Sequence, residues 1–198
     1  MEEKQLTSQE SLQLIQQMIH QAKQEQKDDG KGWIIWGWLL FVASVGTWVN
    51  LQMKWFSPYF FWNSFSILTL AALLYKVVRV LFFPKKKKVR TYTKDLFAKL
   101  NIGFFIFVAF IIVATSNGLG PAKGFSLLIG LYGFWILIYG TALNFRPSII
   151  AAFVTWAIGF VALFVDNFAD IMLLHAGAVL CGYIIPGHMA YSAFNKMR

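Results

Sequence analysis

The sequence predicts an all-α polytopic membrane protein. We expect six transmembrane helices in one bundle, both ends in the cytoplasm, and an N-terminal cytoplasmic amphipathic helix. Of the 198 residues, 58% are hydrophobic and only 14% are charged, against about 25% charged in a typical soluble domain. Long apolar stretches carry no charge, as expected where lipid is the solvent. The basic residues collect at alternate ends of those stretches, which predicts an orientation.

Residues 1–31 are the one sizeable polar segment, and they are predicted to form a cytoplasmic helix. The run Thr7-Ser8-Gln9-Glu10 fits a capping box at a helix start. Apolar side chains then recur at three- and four-residue spacing and form one stripe: Leu12, Ile15, Met18 and Ile19. A helix of this length is marginal alone in water. Its stripe is therefore expected to rest on the membrane surface, on the bundle or on a partner protein.

Residues 32–198 form the predicted bundle. Crossing a hydrocarbon core of roughly 30 Å takes about 20 residues, and six apolar runs approach that length: 33–51, 59–82, 102–115, 125–143, 149–165 and 168–191. The third run is short unless it begins near Leu96. A five-helix alternative would remove one of the last two spans, but Pro147 and the loop at 166–170 separate them. We therefore predict six spans.

The distribution of cations predicts the orientation. With the N-terminus inside, Lys54 and Lys123 are the only two of the eighteen Lys and Arg residues on the outer side. The other sixteen lie on the cytoplasmic side, as the positive-inside rule requires. The opposite orientation would reverse this ratio and is rejected.

A polybasic loop follows the second span: Lys85, Lys86, Lys87, Lys88 and Arg90. Such clusters attract anionic headgroups by about 1 kcal/mol per charge, so we expect contact with anionic lipid of the cytoplasmic leaflet. The alternative is that the loop only fixes the topology. A net charge of +9 would suggest nucleic acid for a soluble protein. No basic domain of the size of a fold accompanies it here, so no nucleic-acid partner is predicted.

The outer half of the last span carries the most suggestive polar residues: Asp166, Asp170 and His175. His175 lies about 7 Å deeper than Asp170 by helical rise. An ionisable side chain at that depth normally faces the bundle interior and marks a functional site. One hypothesis is a ligand or ion pathway in which His175 relays protons or joins a metal site with either aspartate. The other is a neutral imidazole that is hydrogen-bonded to a neighbouring helix.

The last span is also rich in small residues, which let other helices approach closely: Gly177, Ala178, Cys181, Gly182 and Gly187. This span is therefore expected at the centre of the bundle. Near its end, Pro186 removes an amide donor and its ring clashes with the preceding turn. We predict a kink or a helix break at Pro186 and Gly187.

No catalytic residue can be assigned from the sequence. It contains no HExxH, Walker A, GxSxG or CxxC motif. Its one cysteine, Cys181, excludes a cysteine-rich zinc site. The sequence therefore predicts no enzyme, no cofactor and no dedicated metal site.

A resemblance adds to this interpretation. Glu10-Ser11-Leu12, Ile15, Met18-Ile19 and Ala22-Lys23 precede Trp36-Gly37-Trp38, and the chain closes with Gly182-Tyr183-Ile184-Ile185-Pro186-Gly187. In these residues the chain resembles a family of small six-span inner-membrane proteins of the Bacteroides lineage that has no assigned activity. The resemblance implies a multi-pass protein of the bacterial inner membrane. It also hints at sensing or regulation, because such proteins are often encoded beside a small winged-helix regulator.

Two functions follow as hypotheses. In the first, the protein is a non-enzymatic membrane sensor or scaffold: the bundle detects lipid or a small ligand, and the N-terminal helix passes the signal to a cytoplasmic protein. In the second, it is a small-solute, ion or lipid transporter or channel with a site near His175 and Asp170. A homodimer is a further expectation, since a bundle of this size often needs a second copy to enclose a pathway.

Overall fold

A computed structural model describes residues 29–82 and 92–196. These ranges contain six helices long and apolar enough to cross a membrane: α1 Lys31–Met53, α2 Phe60–Phe82, α3 Tyr92–Ala114, α4 Pro121–Ala142, α5 Arg146–Leu163 and α6 Phe168–Asn195. The same ranges contain no β-strand. The prediction of an all-α chain with six candidate spans is confirmed.

Two predicted features fall outside the described residues. One is the stripe of the N-terminal helix, with Leu12, Ile15, Met18 and Ile19. The other is the polybasic loop, with Lys85, Lys86, Lys87, Lys88 and Arg90. Both stay predictions from the sequence.

Proline and asparagine residues set several of the helix ends. Pro121 and Pro147 lie in the first turns of α4 and α5, where a missing amide costs nothing. The Asn167 side chain accepts a hydrogen bond from the Ala169 amide and so caps the start of α6. Asn50 is buried at the end of α1, where its side chain accepts from the Phe56 amide at 2.8 Å and donates to the Ser57 carbonyl at 2.9 Å. These bonds fix the connection from α1 to α2.

Helix α3 begins well before the predicted third span. It starts at Tyr92 rather than near residue 102. Its first turns are polar, so a search for apolar runs leaves them out. Asp95 and Lys99 form an ion pair of 2.8 Å across one turn of this segment. The helix is thus longer than its hydrophobic part.

The bundle has a packed core and two peripheral helices. Helix α6 contacts α1, α4 and α5, and α4 and α5 pack along each other. Half of the most apolar window of α6 is buried, whereas none of the corresponding window of α2 and only 6% of that of α3 is buried. Helix α2 packs against α1, and α3 packs against α4. The four helices α1, α4, α5 and α6 therefore form the core.

Glycines bring α1 and α6 together. A Cβ atom on Gly37 would lie 2.8 Å from Ile184 Cγ1, and one on Gly187 would lie 3.0 Å from Ile34 Cγ1. Contacts this short leave no room for a side chain at either position. The small residues of the last span do place it at the centre of the bundle.

Helix α6 contains one turn of π-helix, which corrects a prediction. The turn covers Leu180–Ile184, and the Ile185 amide donates to the Leu180 carbonyl, five residues back. Pro186 and Gly187 follow in helical conformation, and the helix continues to Asn195. The helix therefore does not break at these two residues. The wide turn before Pro186 accommodates its ring and its missing amide.

Candidate functional site

His175 lies at the centre of the bundle and is fully buried. Its Nδ1 atom is 2.8 Å from Ser44 Oγ on α1. Ser44 Oγ is also 2.7 Å from the carbonyl oxygen of Leu40. Because a serine hydroxyl carries one proton, it donates either to that carbonyl or to Nδ1. In the first case the imidazole donates to Ser44 from Nδ1, and in the second Nε2 carries the proton.

Three aromatic rings form a cage around this imidazole: Trp62 of α2, and Phe125 and Tyr132 of α4. Their centroids lie 5.3, 5.5 and 5.4 Å from that of His175, with interplanar angles of 84°, 85° and 65°. Within the described part of the chain, Nε2 has no hydrogen-bond partner. A charged imidazole would be unpaired in this cage, at a high cost in solvation free energy. The geometry fits the hypothesis of a neutral imidazole that is hydrogen-bonded to a neighbouring helix.

The two aspartates lie apart from His175. Asp166 pairs with Lys123 at 2.7 Å, and the Lys123 ammonium also donates to the Leu163 carbonyl at 2.7 Å. This pair joins the start of α4 to the end of α5. Asp170 is exposed in the first turn of α6, where a carboxylate interacts favourably with the helix dipole.

The structure therefore does not assemble the predicted group of Asp166, Asp170 and His175. Five residues of α-helix turn through about 500°, which leaves Asp170 and His175 about 140° apart around α6. Across residues 29–82 and 92–196, no three His, Cys, Asp or Glu side chains come close enough to hold a metal ion.

Further aromatic rings fill the space between α1 and α4. The Trp33 ring lies 4.2 Å from that of Tyr139 and 4.8 Å from that of Tyr183. Tyr183 in turn lies 5.5 Å from Tyr132 of the cage. The aromatic cluster is thus continuous from the cage to the end of the bundle at which α1 begins.

A second feature is a groove on the outside of the bundle, between α3, α4 and α5. Its volume is about 520 Å³, within the range of about 300–1,000 Å³ usual for ligand sites. The lining is apolar apart from Ser126 and Lys99, and Lys99 is its one charged side chain among the described residues. Gly103 and Gly130 keep the groove open, since a Cβ atom at either position would meet nothing within 4 Å.

Sequence reasoning did not find this groove. Its residues range from Lys99 to Leu163 and come from three helices, whose order around the bundle the sequence does not give. The available signal was the pair of helix-interior glycines, Gly103 and Gly130. Glycines inside a helix cost stability, and neither of these two has a neighbour within 4 Å of its Cβ position, unlike Gly187.

Comparison with known proteins gives no match: no protein-family profile, curated protein or solved structure is similar to the chain. The resemblance to six-span inner-membrane proteins of the Bacteroides lineage stays a prediction. Any function must therefore be argued from the bundle itself.

Proposed function

We propose that the protein is a non-enzymatic sensor or scaffold of the bacterial inner membrane that acts through its N-terminal helix. The observation that carries the proposal is the closed centre of the bundle. Its largest fully buried side chains are the apolar Ile129, Ile136, Ile171, Met172 and Val179 and the polar Ser44, Thr47, Asn50, Ser148, Thr155 and His175. The hydroxyls of Ser44, Thr47 and Thr155 lie within hydrogen-bond distance of carbonyls four residues back in their own helices. Such a closed core suits a rigid bundle, which we call the platform, better than it suits a path for solutes.

The orientation of this platform is part of the proposal. The sixteen-to-two distribution of Lys and Arg favours both described ends, at residues 29 and 196, on the cytoplasmic side. The Lys99 end of the groove then also faces the cytoplasm, and the Lys123–Asp166 pair faces outward.

The junction between the bundle and the N-terminal segment 1–29, which we call the arm, supports signalling through this arm. Gly30 has a φ of +68° and lies so close to the Gly187 carbonyl that no side chain fits between them. Lys31 pairs with Asp29 at 3.4 Å and its ammonium lies 5.9 Å from the centre of the Tyr191 ring. The arm therefore joins the bundle at one defined point on the last turns of α6, where a shift of α6 would reach it.

Transport is the alternative proposal. It would need polar groups along a path through the bundle, near His175 and Asp170. His175 is enclosed by the cage, and Asp166 is engaged by Lys123. We therefore rank transport second. Its test is flux in proteoliposomes, which His175→Ala should stop while the protein remains folded.

The proposed function is tested by purifying the protein gently from its native membrane with and without residues 1–29, followed by mass spectrometry. We expect a cytoplasmic protein to co-purify with the full chain and to be lost on removal of the arm. Ile15→Asn, which interrupts the apolar stripe, should act like the deletion, whereas Gln16→Asn on the polar face should not. The proposal would be contradicted if no protein co-purified with the full chain. It would also be contradicted if the partner stayed bound both to Ile15→Asn and to the chain without residues 1–29.

A further inference from the structure

We propose that the groove between α3, α4 and α5 binds one acyl chain of an anionic phospholipid from the cytoplasmic leaflet, with the headgroup at Lys99. The inference rests on the proposed function, because it names the ligand class that the sensor would detect. It is carried by the size of the groove, its lining and the position of its single cation.

The dimensions fit a lipid chain. Ser126 and Ile138 both line the groove and are twelve residues apart on α4, which is about 18 Å of helix. One leaflet contributes about 15 Å of hydrocarbon, half of the roughly 30 Å core. The length of the groove is therefore close to that of one acyl chain.

The lining also fits a lipid chain. Apolar side chains such as Phe104, Leu131 and Phe160 cover its length, and the bare backbone at Gly103 and Gly130 deepens it. At the end near Leu163, the Lys123–Asp166 pair joins α4 to α5. The groove opens toward the side of the bundle, which a bilayer would cover, so a water-soluble ligand has no direct route into it.

The charge selects the headgroup. Lys99 lines the groove at the end that the proposed orientation places in the cytoplasm, and its side chain is 74% exposed. Its ion pair with Asp95 is also exposed and therefore weak, so a lipid phosphate can compete for the ammonium.

The test uses the full chain in detergent, stripped of lipid and titrated with phosphatidylglycerol or with phosphatidylcholine of the same palmitoyl and oleoyl chains. Binding is followed by native mass spectrometry. We expect tighter binding of phosphatidylglycerol. Lys99→Gln should reduce this preference about fivefold, the factor expected for one lost charge. Lys196→Gln, a change at an exposed lysine outside the groove, should leave it unchanged.

Filling the groove separates a bound chain from lipid that merely surrounds the protein. Gly130→Leu should weaken phosphatidylglycerol binding at least about tenfold, since displacing two methylenes already corresponds to that factor. Gly177→Leu is the matched control, because Gly177 also has open space around its Cα and lies outside the groove. If Gly130→Leu fails to fold by circular dichroism, Gly103→Leu on the opposite wall replaces it.

Equal binding of the two lipids, or unchanged binding by the folded glycine variants, would overturn the inference. The cytoplasmic partner is measured separately, on the unmodified full chain purified gently from its native membrane. If the unmodified chain shows no lipid preference but retains the partner, the lipid site alone is refuted. Absence of a partner with the lipid preference intact refutes the proposed function alone.

Discussion

Ser44 and His175 join α1 to α6 through one hydrogen bond of 2.8 Å in a fully buried place. The imidazole already has one nitrogen, Nε2, without a hydrogen-bond partner among the described residues. A buried polar atom without a partner costs about 1–3 kcal/mol. The bond to Ser44 is therefore what makes a histidine tolerable at this position.

Ser44→Ala is expected to lower the free energy of unfolding by about 1–3 kcal/mol, because it leaves the second imidazole nitrogen unsatisfied as well. In a His175→Leu background the same change should cost much less, since no polar atom is then orphaned. The difference is a coupling energy, expected at about 0.5–3 kcal/mol. It can be measured by denaturant unfolding in micelles, followed by tryptophan fluorescence.

Ser64→Ala is the control for this cycle. Ser64 makes the same bond to the carbonyl four residues back, here Phe60, but on an exposed face. It should change stability by less than Ser44→Ala and show no coupling to His175. Equal losses for Ser44→Ala in both backgrounds would mean that the bond contributes nothing.

The depth of His175 in an apolar span was enough to predict that its side chain faces the interior. Its partners could not be predicted, because Ser44 is 131 residues away along the chain and nothing in the sequence distinguishes it from the other serines. For Asp166 the deciding residue, Lys123, lies in another helix. The charges and their spacing near one span therefore suggested a cluster. Instead, Asp166 and His175 each contact a residue of a different neighbouring helix.

At the scale of one helix, the π-turn of α6 packs closely against its neighbours at Gly182. A Cβ atom there would lie 2.6 Å from Ile136 Cδ1 and 2.7 Å from Thr155 Oγ1. Thr155 is held by its bond to the Ala151 carbonyl, so it cannot move away freely. Helices α4 and α5 thus both meet α6 at this glycine.

Gly182→Ala is expected to cost about 1–3 kcal/mol of stability through overpacking. Gly177→Ala, on the same helix with nothing within 4 Å of its Cβ position, should instead be neutral or stabilise by about 0.5–1 kcal/mol, since alanine is the better helix former. Denaturant midpoints of the two variants in the same detergent check this. Similar midpoints for both would show that α6 is not held closely at Gly182.

Hydropathy predicted each of the six described spans, because an apolar run in lipid must satisfy its backbone hydrogen bonds internally. It missed the first turns of α3 around Asp95 and Lys99, which are helical but polar. The local chemistry of Pro186 predicted a break that does not form, because the wide turn at Leu180–Ile184 accommodates the proline within a continuous helix.

At the scale of the whole molecule, the sequence does not give the order of the helices around the bundle. The long apolar α2 and α3 look like any other span, yet they lie at the periphery. The groove exists only because α3 lies beside α4 and α5. An orientation, in contrast, is read from the charges at the helix ends and needs no knowledge of packing.

That orientation is tested with single cysteines in a Cys181→Ala background. Lys54 ends α1 and Lys196 follows α6, and both are exposed. Six spans with the N-terminus inside place them on opposite sides of the membrane. In intact cells a membrane-impermeant maleimide should label Lys54→Cys and spare Lys196→Cys, which should react only after permeabilisation.

The contrary outcomes are distinct in meaning. Labelling of Lys196→Cys alone in intact cells would show that the bundle is inverted. The Lys99 end of the groove would then lie outside, away from the cytoplasmic leaflet. Labelling of both cysteines would mean an even number of spans between them. Since both proposals need the arm and the Lys99 end in the cytoplasm, this experiment bears on the whole molecule before any ligand or partner is known.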